Sequence, residues 1–486
     1  MEVIQKIVDT VNTYLSDYIL IFLLVSVGLY YSIRTKFVQI RCFGEGMKSV
    51  FGNIKFKGEK QRSGMSSFQA LATAIAAQVG TGNIVGACGA IFIGGPGTIF
   101  WMWIIAFFGM ATIYAEATLA QKTRVVHEDG SIDGGPVYYI RTAFIGKFGK
   151  LLAGFFAVAA TLALGFMGAM VQSNSIATNF GGVFKSFGAR ESVVNIVTIV
   201  VGILIAAFSA FILIGGVQRL ASVTEKIIPI MAVIYIVGSL FVLCINITNL
   251  PAAFGLIFKY AFVPQAMIGG ATGAAIKAAI SQGAKRGLFS NEAGMGSTPH
   301  AHALANVKNP HQQGTAAMIS VFIDTFIVLT MTALVVITTL YVGGIITAEN
   351  YEALKASGEI SGSNMAQIAF SNTFAQLFGE TVGNIIGSLF VAICLLFFAF
   401  STIISWNYFG KVNFAHLFGK NSTVVYSVIA IIFVFLGSLL SNDLVWALTD
   451  LFNNLMVIPN VIALFALGGL VVSMTKFKGK DLPKIK

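Results

Sequence analysis

The stretch Thr73-Ala-Ile-Ala-Ala-Gln78-Val-Gly-Thr-Gly-Asn83-Ile-Val-Gly86 limits the folds open to this chain more than any other. It begins and ends as apolar helix, yet Gln78, Gly80, Thr81, Gly82 and Asn83 fall where a membrane helix is greasiest. Glycine costs about 1 kcal/mol against alanine inside a helix, and lipid offers the released N–H and C=O groups no partner. Such a break survives only where protein covers it or where it lines a cavity whose contents bind the backbone. The stretch is therefore read as the floor of a site for a small solute and an ion.

The rest of the chain supplies the membrane. Mean hydropathy is +0.83, 56% of residues are hydrophobic and only 10% are charged, against roughly 25% charged in a soluble domain. The 51 glycines suit helices packed closely through small residues. A net charge of +11 raises the question of nucleic acid, but the basic residues alternate between loops, which points to the positive-inside rule instead. Cys42, Cys88, Cys244 and Cys394 are scattered, so neither a disulfide framework nor a zinc ribbon is indicated. His127-Glu-Asp and His300-Ala-His302 lack metal-site context.

Apolar stretches long enough to cross a ~30 Å core recur at about 15–33, 66–93, 97–120, 149–176, 193–214, 217–245, 314–342, 380–406, 421–440 and 444–474. The segment 274–302, with Lys277, Lys285 and Arg286 among small residues, is less obvious. Loop charge decides it. The 34–62 and 121–150 loops are basic, 343–363 is acidic, and Lys411, Lys420 and the Lys-rich tail are basic again. All basic loops fall on one side only if 274–302 crosses. The expectation is eleven helices, N-terminus outside and C-terminus inside, with no cleavable leader.

Setting aside the first helix, ten remain and divide five plus five. The division is 1–62 for the extra helix and basic loop, 63–250 for the first repeat, and 251–486 for the second repeat with its basic tail. Each repeat opens on a Gly-interrupted helix, the second carrying Gly287-Leu-Phe289-Ser290-Asn291-Glu292-Ala-Gly294-Met-Gly296. Repeats with an odd helix number are inverted relative to each other. Matching broken segments in two such halves are the sequence pointer to a transporter site at the membrane midplane.

The run Thr73–Gly86, with Gly94-Gly-Pro-Gly-Thr-Ile-Phe-Trp-Met-Trp103, Tyr114-Ala-Glu116 and Arg286-Gly-Leu-Phe-Ser-Asn-Glu-Ala-Gly-Met-Gly-Ser297, resembles the alanine or glycine:cation symporter family over nearly the whole chain. The resemblance implies the all-α, LeuT-like five-plus-five fold of the amino acid–polyamine–cation superfamily in the cell membrane. It also implies sodium-coupled uptake of a small neutral amino acid; no covalent cofactor is expected, and a monomer is expected. A more distant likeness to sodium:neurotransmitter-type symporters implies residue roles. Backbone amides at Thr81 and Gly82 would hold the substrate carboxylate, and carbonyls at Ala76 and Val79 would ligate sodium with Ser401 and Thr402. Asn83 would serve a second cation, Phe289 would wall the pocket and Ser290 would offer a hydroxyl. Glu292 departs from that pattern, since a smaller polar residue is expected there.

The physical reading agrees with these roles. A half-helix starting near Gly82 presents free N–H groups and about +0.5 charge to a carboxylate. Carbonyls closing the preceding half-helix suit a hard cation. The bland alternative is that Gly80, Gly82 and Gly86 only let helices approach. Gln78 flanks the break. Gln172 and Asn174 form a polar island, Asn174 touching substrate or bonding between helices. Trp406, four residues after Thr402, is a lid or an interfacial anchor. Ser401 and Thr402 ligate an ion or bond back to their own helix. Asp324 is a second-cation ligand or a packing carboxylate. Glu116 and Glu292 bond the broken backbone or carry a proton. Lys285 and Arg286 lie on the outer approach, drawing in a carboxylate or snorkelling to the interface. Three rivals remain: a glutamine carrier coupled to sodium or protons, a passive channel, and a membrane-embedded enzyme. A channel wants a continuous polar stripe, which is missing here. An enzyme wants an activated nucleophile or metal, and no such motif is present.

Overall fold

A computed structural model describes residues 2–52, 64–128, 130–263 and 272–476. Among these the protein is helical, apart from two pairs of two-residue strands. Among the described residues, nine helices are long and apolar enough to cross a membrane, from Gln5–Arg34 to Asp443–Ala466. A tenth span is a bent pair, Ser67–Gln78 and Gly82–Gly94, meeting at 45°. The helix Thr272–Asn291 is long enough to cross but more polar than these, and it stops at a break before Pro299–Ala303. Several expected bounds move. The helix expected at 380–406 runs Glu380–Phe418, and the stretch at 444–474 divides into Asn442–Ala466 and Gly468–Lys476.

Burial sorts the helices into a centre and a rim. In the most apolar window of Thr98–Thr123 and of Pro310–Tyr341, 67% of residues are buried, against 33% for Glu191–Ile214 and 22% for Lys420–Gly437. The rim helices turn Ile196, Ile203, Phe208, Phe211, Val425 and Ile432 outward. Outward apolar faces at this scale belong in lipid.

Three contacts orient the two broken helices. Met65–Ser66, just before the first, pairs in parallel with Ala305–Asn306, just after the second. At the breaks, Gln78 Nε2 donates to the Asn291 carbonyl at 2.8 Å. At the far end, a Cβ on Gly94 would lie 3.2 Å from both the Ala278 oxygen and the Ala279 Cα. Start meets end, break meets break and end meets start, so the two helices run antiparallel side by side. This is the relation that inversion of two halves produces.

Short π-helical turns occur at Gly82–Gly86 and Phe322–Leu329. Such turns widen the backbone and often mark functional positions. Here they carry Asn83 and Asp324, which hydrogen-bond each other.

Candidate functional site

The first break begins where Val79 leaves the helical region at φ −80°, ψ 88°. The next two amides abandon the helical ladder. Gly80 N–H donates to Asn83 Oδ1 and Thr81 N–H to Gln172 Oε1, each at 3.0 Å. An undistorted helix would have sent them to the carbonyls of Ala76 and Ala77. The Ala76 carbonyl instead accepts the Thr402 hydroxyl at 2.9 Å and the Ser401 hydroxyl at 3.3 Å. A backbone carbonyl and two hydroxyls from a distant helix thus converge in a fully buried spot. Oxygen-only donors of this kind suit a hard monovalent or divalent cation.

Unsatisfied valence surrounds the same turn. Gln78 Oε1, Thr81 Oγ1 and Gln172 Nε2 are buried with no hydrogen-bond partner. Buried polar atoms are almost always paired, so three orphans about one backbone break point to a polar ligand. The space is small: a Cβ on Gly82 would sit 3.0 Å from both the Phe289 ring and the Ser290 Cα.

The second break is held by carboxylates. Glu292 takes φ +58°, a left-handed conformation costly for a side chain with a Cβ. Its oxygens accept Trp406 Nε1 at 2.5 Å and the Ser297 hydroxyl. Glu116 accepts the Gly294 and Gly296 amides, each at 3.0 Å, and Asn460 Nδ2 at 2.6 Å. Asp324 ties the two breaks together, accepting Asn83 Nδ2 at 2.6 Å, Ser290 Oγ at 2.8 Å and Thr325 Oγ1 at 2.9 Å. These three donors occupy both oxygens of its carboxylate, and Asn83 Oδ1 accepts the Gly80 amide.

Most of the expected residues come together: Ala76, Gln78, Val79, Thr81, Gly82, Asn83, Phe289, Ser290, Asp324, Ser401, Thr402 and Trp406 all line or support the two breaks. Asn174 does not. Its Nδ2 donates to the Gly437 and Leu440 carbonyls, both at 2.9 Å, the interhelical alternative. Residues two apart on a helix point roughly 200° apart, so Gln172, which meets Thr81, turns Asn174 away. Trp406 is fully buried with its ring centroid 5.5 Å from that of Phe289, so it is no interfacial anchor. Lys285 pairs with Asp17 at 2.9 Å and Arg286 with Asp450 at 3.0 Å. The histidines of the two sequence motifs bond protein groups: His127 to Asp133, His300 to Asn413 and His302 to Gln313.

Trp446 escaped the sequence reading. Its ring lies 4.8 Å from Phe289, and the Arg286 guanidinium stacks over it at 4.3 Å. The available signal was Asp450 four residues on, an acidic partner on the same helix face for a basic residue at the second break.

Two cavities approach from opposite ends. One, about 1190 Å³, reaches Val85, Gly86, Arg286, Trp446 and Asp450. The other, about 710 Å³, reaches Gly64, His300, Tyr408 and Asn413. The buried residues of the breaks, with Phe289, Trp406 and Glu292, separate them.

Comparison with known proteins agrees with this arrangement. The model of the sodium:alanine symporter family matches residues 1–481. The sodium/alanine symporter AgcS of Methanococcus maripaludis is 38% identical over 472 residues, covering 97% of this chain and 96% of that protein. The probable sodium/glutamine symporter GlnT of Bacillus subtilis is 36% identical over 476 residues, covering 98% and 91%. The crystal structure of MhsT in complex with L-phenylalanine superposes with a TM-score of 0.57 at 14% identity, covering 86% of this chain and 99% of that one, a likeness of fold alone. A family match over almost the full length, on a chain whose two broken helices meet in antiparallel at a buried polar site, leaves one assignment: the protein belongs to the sodium:alanine symporter family.

Proposed function

We propose that the protein is a secondary active symporter that couples inward sodium movement to uptake of a small neutral amino acid, alanine or glycine, by alternating access. The observation that carries this reading is the released Ala76 carbonyl beneath Ser401 and Thr402, next to the orphaned atoms of Gln78, Thr81 and Gln172. Sodium sits with Ala76, Val79, Ser401 and Thr402. The substrate carboxylate meets the start of the half-helix at Thr81 and Gly82, and Gln172, already on the Thr81 amide, moves aside or bridges. Phe289 and Trp406 bound the side chain. Asn83 and Asp324 form the candidate second-cation pair.

In this reading the chain has eleven crossings, with 274–302 as the second broken one. Its N-terminus is outside and its C-terminus inside in the cell membrane, and it works as a monomer divided at 1–62, 63–250 and 251–486. The larger cavity is then the outer vestibule. The buried layer between the vestibules supports a carrier over a channel. One co-transported charge supplies ~2.3 kcal/mol per 100 mV, which at ~1.4 kcal/mol per decade accumulates substrate roughly 50-fold.

Uptake of radiolabelled alanine into proteoliposomes tests the proposal. It is expected to collapse when choline replaces sodium, and uptake that persists in choline removes the sodium claim. Excess unlabelled glutamine should compete weakly; full competition at matched concentrations would reassign the substrate.

The outer lid gives a second expectation. Asp450 holds Arg286 over Trp446, and Trp446 covers Phe289. Asp450→Asn weakens a charge-assisted hydrogen bond worth about 1.5 kcal/mol, so the KM for uptake should rise roughly tenfold with surface expression unchanged. An unaltered KM would mean that Trp446 needs no such clamp.

A further inference from the structure

We infer that Cys42, Glu45 and His311 form a binding site for one transition-metal ion of zinc chemistry, on the loop side of the helices and apart from the transport site. One ligand atom from each lies within 4.8 Å of the other two. His311 Nε2 and Glu45 Oε1 are already 3.2 Å apart. Bond lengths of about 2.0–2.3 Å to nitrogen, oxygen and sulfur place the ligands of a tetrahedral ion roughly 3.3–3.7 Å from one another. Only a small inward movement closes the set, and Glu45, the exposed member, has the room to swing.

The scaffold holds the three residues in place. Cys42 caps the helix Phe43–Phe51 and Glu45 lies in its first turn, three residues on, so both side chains share one face. His311 opens the helix Pro310–Val321. The two helices touch: a Cβ on Gly46 would lie 2.7 Å from the Thr315 carbonyl oxygen, and the Phe43 and Phe322 rings meet at 4.9 Å. Cys42 and His311 are 1% and 4% exposed, so the sulfur and the imidazole are presented from a packed wall. Tyr114 Oη lies 2.6 Å from His311 Nδ1. That bond orients the ring and leaves Nε2 facing Glu45, the supporting arrangement that metal-binding histidines use. A thiolate with an imidazole and one carboxylate selects zinc-like ions over calcium or magnesium. Three protein ligands leave a fourth position for water.

A metal here would staple the arm that follows the first helix onto the helix carrying Asp324, the residue bridging both breaks. The transport reading gives these three residues no task.

The test uses the full-length protein in detergent, with Co2+ as a spectroscopic stand-in for Zn2+. One Co2+ per chain is expected, with a thiolate-to-metal charge-transfer band in the near ultraviolet and visible bands of four-coordinate intensity, all displaced by Zn2+. Cys42→Ser should abolish the charge-transfer band. His311→Ala and Glu45→Ala should each weaken Co2+ binding about tenfold or more, and Cys244→Ser, at an exposed thiol elsewhere, should change nothing. Glu45 is exposed, so its variant keeps the test decisive if the buried variants fail to fold. Absence of the band in the wild type overturns the site. So does its persistence in Cys42→Ser, its loss in Cys244→Ser, or unchanged affinity in Glu45→Ala.

Discussion

Gly80→Ala is expected to weaken sodium-dependent alanine uptake by about fivefold or more while the chain still reaches the membrane. A Cβ at this position would lie 2.4 Å from Thr402 Oγ1 and 3.1 Å from Gln172 Oε1. The first is the hydroxyl that caps the Ala76 carbonyl, and the second is the oxygen that accepts the Thr81 amide. One methyl group therefore pushes on the cation side and the substrate side of the break together. Backbone strain is not the cause, because Gly80 is not among the glycines with positive φ. Overpacking of this kind costs about 1–3 kcal/mol, or roughly 5- to 150-fold in affinity at about 1.4 kcal/mol per decade. Thr402→Ala is the comparison. It removes one hydroxyl without adding bulk, so it should weaken sodium activation while leaving the maximal rate at saturating sodium closer to wild type. Sodium titrations of uptake and of thermal stabilisation in detergent measure both. A Gly80→Ala protein with wild-type sodium dependence would show that the space beside the break is not the cation site.

Some of this arrangement could be read from the chain and some could not, for physical reasons. Glycines inside an apolar run announce a broken helix because lipid cannot satisfy released backbone groups. The break at 80–82 is therefore visible in the sequence, and the second is read at 287–296, of which the structure keeps 287–291 helical and opens the chain after Asn291. Loop charge is the argument for a crossing at 274–302, because the helix there, Thr272–Asn291, carries Lys277, Lys285 and Arg286 and does not announce itself by hydropathy. Helix phase was less accessible. Gln172 and Asn174 are both amides in the same apolar helix, and only the packing of Ala169–Ser186 decides which meets Thr81 and which meets Gly437. Partners distant in sequence were hidden for the same reason. Nothing local ties Trp446 to Phe289, or Cys42 to His311, because such proximities come from packing rather than periodicity. Helix ends also drifted: the helix expected to stop at 406 runs on to Phe418, where Gly419 at φ 85° ends it.

Glu116→Gln is expected to lower the melting temperature in detergent and to remove most of the uptake, although residue 116 contacts neither proposed ligand. Three residues of the second break have positive φ: Glu292 at 58°, Gly294 at 94° and Gly296 at 81°. Positive-φ residues alternating with ordinary ones turn successive amides to one side and form a concave cradle for an anion. The Glu116 carboxylate fills it, taking Gly294 N–H on one oxygen and Gly296 N–H on the other. Asn460 supports the pair, donating to Glu116 Oε1 and to the Gly294 carbonyl while accepting the Tyr139 hydroxyl. Glutamine has nearly the same shape but only one acceptor atom. Whichever way its amide turns, one buried backbone N–H faces an NH2 group. An unsatisfied buried donor costs about 1–3 kcal/mol, and the remaining bonds lose their charge assistance. Glu116→Ala leaves all three donors without this acceptor and should be worse. The break would then relax toward helix or unravel, and Glu292 two residues before Gly294 would lose its hold on Trp406. Sodium-dependent uptake should fall in parallel with the melting temperature along the series Glu, Gln, Ala. If Glu116→Gln kept both, the carboxylate would not be what holds the second helix open.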